Sequence, residues 1–267
     1  MTCWLAGCPR RCCCATRPML FRRRKRKPGG CGMAQNKSGR NAFGTPQSLV
    51  ARIAPPPDDI SVNRAVLPPD SRLHRCHSLQ WPGDSFNPGR DLQPWEYGAR
   101  FSSFKDDAGQ YVPWLYAAGS LQGALAETVF HDLIGEARTG FLSLRPFRNW
   151  GYTELASTRK LQLASLKSQD LYRMGTSKAD LIESGRLLYT QTRLWARAIY
   201  LQHSDINGLV WKSRQHDDSD AFVLFGDRVK PGDLRIASST VRFTDDVSTG
   251  YEIQQMAQRL GVILSDE

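Results

Sequence analysis

Five residues carry most of the chemical interest of this chain: Arg75 in "LHRCHS", Arg100 in "YGARFSSF", Tyr116 in "PWLYAAG", Glu127 in "LQGALAETVFHD" and Ser213 in "GLVWKSRQH". Glu127 poses the sharpest question. The stretch around it reads as a strand end, a turn and a helix, with Leu121, Ala124, Leu125, Thr128 and Val129 recurring at helical spacing. Glu127 falls beside that stripe, and Gly123 and Ala124, one turn earlier, are too small to cover it. A carboxylate at the edge of a core with open space next to it meets either a buried cation or a ligand. No phosphate loop, nucleophile elbow, zincin helix or dinucleotide fingerprint is present, which removes the commonest enzyme classes.

The elements that must position these groups belong to an α+β domain with a central mixed sheet flanked by helices. Folding is expected to begin near "RLHRCHSL", where Leu73 and Arg75 alternate with polar neighbours as in an edge strand. Residues 81–98 have the composition of an ordered loop. "PWLYAAG" reads as a strand, and Ser120 as the cap of the Glu127 helix. "GFLSLRPF" and "LQLASL" read as strands, and 183–203 as a long amphipathic helix carrying Leu187, Leu188, Leu194, Trp195, Ile199 and Tyr200. "NGLVWKSR" and "DAFVLFGD" are two β runs around the polar turn "QHDDS", with Ala221 to Phe225 forming a central strand buried on both faces. A helix and a strand close the chain over 251–264. The domain is read as 68–267, and 1–67 as a disordered lead-in rich in Pro, Gly, Asn and Ser after its first 32 residues.

The formal net charge of +10 suggests a nucleic-acid binder until the charges are located. Nine Lys or Arg and no acid fall within residues 1–32, leaving 27 basic against 26 acidic residues in the rest. Six of the seven cysteines share that segment, without the spacing of a zinc site or a disulfide framework. Residues 1–32 are therefore read as sequence upstream of a true start at Met33, with a basic tail that touches nucleic acid or membrane as the alternative. No run approaches the ~18 apolar residues of a membrane span. A cysteine-poor body suits a reducing cytoplasm.

Taken singly, each candidate also has an ordinary structural role. Glu127 could face an arginine or His131 at the next turn, an arginine before Phe could be a surface ion-pair residue, Ser213 a turn hydroxyl and Tyr116 a core aromatic. His131 reads as a helix-terminal hydrogen-bonding residue, and nothing supports a role for His216.

Together, "LHRCHS", the stretch Arg100 to Asp132 and the stretch Asn207 to Arg228 resemble the RES domain, a family named for an arginine, a glutamate and a serine; the likeness spans about 160 residues. The resemblance implies a bacterial toxin that consumes NAD, by phosphorolysis, hydrolysis or ADP-ribosylation of a target. It also implies a fold similar to that of ADP-ribosyltransferase toxins, and a helix-turn-helix antitoxin that holds the toxin inactive. It places the family's arginine on Arg100 or Arg75, its glutamate on Glu127, its serine on Ser213 and a ring-contacting tyrosine on Tyr116. Where several relatives have Tyr after the second arginine, this chain has Phe101, which keeps the ring face and loses the hydroxyl.

Physical chemistry is compatible with those roles. Breaking the nicotinamide–ribose bond develops positive charge on the ribose, which a fixed carboxylate such as Glu127 stabilises. The pyrophosphate suits planar guanidinium donors, Tyr116 offers a flat face to nicotinamide, and Ser213 could donate to a phosphate. Catalysis is thus expected from Glu127, Arg100 and Ser213, with Arg75, Tyr116 and Phe101 binding NAD as substrate, inorganic phosphate as a possible co-substrate, and no metal or other cofactor. The alternatives are transfer of ADP-ribose to a protein in the same pocket, and a basic-tailed nucleic-acid-binding module. Direct contact with nucleic acid is otherwise expected only through the antitoxin.

Overall fold

A computed structural model describes residues 52–93, 95–131, 133 and 140–265. The basic, cysteine-rich segment 1–32, and with it the readings of a later start or a nucleic-acid-binding tail, lies outside the described residues. In chain order the elements are β1 (Arg64–Leu67), β2 (Arg72–Ser78), β3 (Trp114–Ala118), α1 (Leu121–Ala126), β4 (Phe141–Ser143), β5 (Trp150–Ser157), β6 (Leu161–Ser165), α2 (Ser168–Arg173), α3 (Lys178–Leu181), α4 (Tyr189–Gln202), β7 (Gly208–Lys212), β8 (Asp220–Phe225), β9 (Leu234–Ile236), β10 (Val241–Arg242), α5 (Val247–Leu260) and β11 (Ile263–Ser265).

One mixed sheet organises the fold, in the order β1-β6-β7-β8-β3-β2-β5-β10, with β9 also paired to β5. Its only parallel pairing among the described residues is β6 with β7, the two strands joined by the crossover that contains α2, α3 and α4. β4 and β11 form a separate parallel pair. β8 is buried on both faces, as its sequence implies: Ala221, Val223 and Phe225 meet the cluster under α4, whereas Phe222 and Leu224 join Leu73, Leu115, Leu155 and Leu163 on the other side. The period-2 alternation of a strand divides one apolar run between two cores. A third cluster joins α1 to α5 through Leu125, Phe130, Ile253 and Ala257.

The structure revises four expectations. β2 is an interior strand, paired to β3 and β5, rather than an edge. Its polar residues His74, Arg75 and His77 border a cavity, which supplies the polar surroundings an edge would have found in water. Order also begins before residue 68. Ile53, Ile60 and Val62 belong to the core under α4, Trp195 Nε1 donates to the Ala54 carbonyl at 2.8 Å, and β1 pairs with β6. Three consecutive prolines, Pro55 to Pro57, remove backbone donors, so this segment lies against α4 as a strap held by side chains of the helix.

The long helix begins at Tyr189, preceded by a 3-10 turn over Arg186–Leu188, and its inward stripe is Thr192, Trp195, Ala196, Ile199 and Tyr200. Leu187 and Leu194 are therefore 73% and 50% exposed. α1 is shorter than its apolar spacing suggests and ends at Ala126, with Glu127 as its C-cap. β5, an eight-residue strand, falls in "WGYTELAS", where Trp150, Tyr152 and Thr153 favour a strand while Gly151, Glu154 and Ala156 oppose it.

Candidate active site

A cavity of about 580 Å³ opens where β2, β3, α1 and the end of β7 meet, and its lining includes Arg75, Arg100, Tyr116, Ala124, Glu127 and Arg214. α1 delivers the carboxylate. Ser120 caps the helix by accepting the Gly123 N–H at 3.0 Å. Gly123 has no room for a side chain, because a Cβ there would lie 2.2 Å from Ser219 Oγ. The two small residues before Glu127 thus do different things: Gly123 lets α1 approach the start of β8, while Ala124 borders the cavity. Glu127 follows at the helix end, half-buried.

Ser213, fully buried just beyond β7, holds that carboxylate in place. Its hydroxyl donates to Glu127 Oε1 at 2.6 Å and accepts the N–H groups of Gln215 and His216, each at 3.0 Å. The one O–H of the serine is spent on Glu127, so this hydroxyl has no proton left for a phosphate oxygen. Its geometry is that of a turn hydroxyl and of a carboxylate anchor at once.

The arginines are anchored from behind. Arg100 Nη1 donates to the Ser184 carbonyl at 2.9 Å, to Ser184 Oγ at 3.0 Å and to the Leu181 carbonyl at 3.2 Å, and its guanidinium carbon lies 4.7 Å from the centre of the Tyr189 ring. Burial holds the Arg100 guanidinium below its ordinary value; Tyr189 and Glu127 oppose that shift, and the positive charge of Arg214 adds to it. Arg75 Nη1 donates to the carbonyls of Gly83 and Ser85 at 2.9 and 2.6 Å, which ties β2 to the 81–98 loop. Burial lowers its pKa to about 10, with Asp84 opposing, so it remains a cation at neutral pH. Both arginines border the cavity while part of each fork is committed to backbone oxygens.

Tyr116 also borders the cavity. Its hydroxyl accepts the Phe101 N–H at 3.0 Å, its ring packs edge-on to Trp114 and Trp211, and burial pushes its phenol up to about 12. Phe101 is a correction. It is fully buried, packs edge-on to Trp211 and belongs to the core under α4, so its ring does not reach the cavity. Arg100 faces the cavity and the next residue along the chain turns the other way, into the core.

Several lining residues have no forerunner in the sequence reading: Arg214, Tyr189, Trp211, Trp114 and Gln215. Arg214 and Gln215 follow Ser213 directly, so their adjacency to that residue is the signal that could have found them. Tyr189 and Trp211 read as ordinary core aromatics. Among the described residues, two buried polar atoms of this lining have no hydrogen-bond partner: Trp114 Nε1, a donor, and Gln215 Oε1, an acceptor. His131, which follows α1, lines the cavity too, and its carbonyl accepts from Gln215 Nε2 at 3.0 Å.

This arrangement occurs within a stretch that matches the family model of the RES domain over residues 72–246, more than half of the chain. The protein belongs to the RES domain family. A comparison with curated proteins finds no match. RES domains are generally part of toxin–antitoxin pairs, and membership is consistent with a toxin-type module and suggests an enzymatic role connected with NAD. Among the described residues, no helix is long and apolar enough to cross a membrane.

Proposed function

We propose that the cavity binds NAD and that the protein, as the toxin of a toxin–antitoxin pair, breaks the bond between nicotinamide and ribose. The observation that carries this reading is a carboxylate, Glu127, anchored by a buried serine and facing a cavity that it shares with Arg75, Arg100 and Arg214. As the C1′–N bond breaks, its electron pair leaves with the ring nitrogen and nicotinamide departs neutral. The ribose becomes oxocarbenium-like, and Glu127 stabilises that charge without having to reorient. Water then attacks C1′ and loses a proton, which gives ADP-ribose; attack by inorganic phosphate gives the 1-phosphate of the same sugar. The guanidinium groups bind the pyrophosphate, and the edge of the Tyr116 ring and its tryptophan neighbours form the apolar wall. A volume of about 580 Å³ lies within the ~300–1,000 Å³ of small-molecule sites.

One feature favours ADP-ribosyl transfer to a protein as a second reading. A neighbouring cavity of about 380 Å³ shares Gly98, His131 and Tyr189 with the first, which leaves room for an acceptor side chain next to the cavity that Glu127 lines. The antitoxin, in this proposal a helix-turn-helix protein, inhibits by covering the cavity. Purified protein incubated with NAD, with and without phosphate, is expected to release nicotinamide together with ADP-ribose or its phosphate. Label transferred to a macromolecule only when protein acceptors are added supports the second reading, and intact NAD under every condition refutes both.

A further inference from the structure

We propose that Gln215 reads the carboxamide of the base and so sets the preference of the site for nicotinamide over pyridines that lack an amide N–H. This inference rests on the NAD reading above and specifies it. The side-chain amide of Gln215 is oriented by its neighbours. The His131 carbonyl can only accept a hydrogen bond, so the group facing it at 3.0 Å is Nε2, and Oε1 is the atom left over. That oxygen is buried and has no hydrogen-bond partner among the described residues, although the residue lines the cavity. A buried acceptor without a partner is destabilising unless a donor arrives.

The position of Gln215 identifies the donor. Its backbone N–H donates to Ser213 Oγ, and that same oxygen donates its proton to Glu127. Gln215 therefore stands two hydrogen bonds away from the carboxylate that faces the breaking bond, and in this proposal the departing base is set against it. The other unpartnered polar atom of the lining, Trp114 Nε1, is a donor and cannot serve an amino group. A carboxamide NH2 supplies the proton that Gln215 Oε1 lacks. An acetyl group in its place keeps the carbonyl and has none, and a carboxylate would set oxygen against oxygen.

The experiment compares NAD with its 3-acetylpyridine analogue as substrates of the unaltered protein and of Gln215→Met. Methionine keeps the length and volume and removes the acceptor. Because the two bases differ in leaving ability, the decisive quantity is the change in the ratio of kcat/KM values between the two proteins. The ratio is expected to fall by about tenfold to a hundredfold in Gln215→Met, through loss of NAD turnover with little change for the analogue. A ratio that does not change overturns the proposal. A second arm needs no variant: free nicotinamide should inhibit the unaltered protein about tenfold or more better than 3-acetylpyridine, and equal inhibition also overturns it. If Gln215→Met instead alters discrimination between adenine and hypoxanthine dinucleotides, the residue serves the other end of the substrate and the proposal fails. No nicotinamide release from NAD by the unaltered protein removes the underlying reading, and this inference with it.

Discussion

Replacing Ser213 by alanine separates anchoring of the carboxylate from contact with substrate. The substitution deletes a 2.6 Å hydrogen bond to Glu127 Oε1 and leaves the N–H groups of Gln215 and His216 without their acceptor. A hydrogen bond to a charged group contributes about 1.5–3 kcal/mol. The two released N–H groups belong to half-buried residues that water can reach, so each adds a cost at the low end of about 1 kcal/mol. Ser213→Ala should therefore lower folding stability by about 3.5–5 kcal/mol, measurable as a lower urea midpoint. In catalysis the carboxylate loses its fixed orientation. Were about 1.5–3 kcal/mol of transition-state stabilisation lost with it, kcat for nicotinamide release would fall about ten- to a hundredfold. KM for NAD should stay within about threefold, because an interaction made mainly in the transition state is removed. A variant with the stability and kcat of the parent would refute the anchoring role. A raised KM at unchanged kcat would refute it equally, by placing the hydroxyl on the substrate.

Three further outcomes follow from the geometry. Arg100→Lys can replace the Nη1 donor to Ser184 and Leu181 but neither the Nη2 donor to the Tyr189 hydroxyl nor the planar face against the Tyr189 ring, so KM for NAD should rise about tenfold or more in steady-state assays; an unchanged KM contradicts this. Gly123→Ala brings a Cβ to 2.2 Å from Ser219 Oγ, pushes α1 away from β8 and shifts Glu127; a loss of about 1–3 kcal/mol is expected on denaturant unfolding, with reduced turnover. His77 concerns pH. The Ser78 carbonyl accepts from Nδ1, and Nε2 lies 2.8 Å from the Thr153 hydroxyl, which also meets the Thr240 hydroxyl at 2.7 Å. Burial holds the His77 pKa below the ordinary 6.5, and His74 is depressed in the same direction, also by burial. The unfolded chain then binds protons that the folded one refuses, so stability should decline as pH falls below about 6.5. His77→Gln should flatten that decline in melting curves taken between about pH 7 and 5, and an undiminished slope assigns the effect elsewhere.

Much of the fold was legible where the alternation of apolar residues was strong. Ala221 to Phe225 is a two-sided central strand because five consecutive buried residues leave no solvent face, and Ser120 caps α1 as its position before the apolar stripe suggests. The legibility ended where tertiary context overrides local pattern. β2 reads as an edge because its histidines and arginine are polar, yet these residues border a cavity between elements of the fold, which no local periodicity reports. The strap over 52–62 reads as a linker because it is rich in proline, yet it is fastened by Trp195 and Gln202 from more than a hundred residues away. At the site, the structure brings Arg75, Arg100, Tyr116, Glu127 and Ser213 to one cavity or its wall, a convergence of separate elements that spacing along the chain does not encode. Phe101 went astray for a local reason: in an irregular segment, nothing in the residue type says which of two neighbours turns inward. Arg214 and Gln215 give no signal of their own, because an arginine and a glutamine in a polar turn look like solvent-facing residues.

The central claim is that the negative charge of Glu127 acts on the ribose of NAD, and Glu127→Gln tests it most directly. The amide keeps the volume and an oxygen to accept from Ser213, so the fold and the anchor persist while the charge is lost. Nicotinamide release from NAD by equal amounts of the folded parent and variant is the measurement. The account predicts that the parent releases nicotinamide and that the variant is slower by about a hundredfold or more, with an unchanged melting transition; equal rates would contradict it.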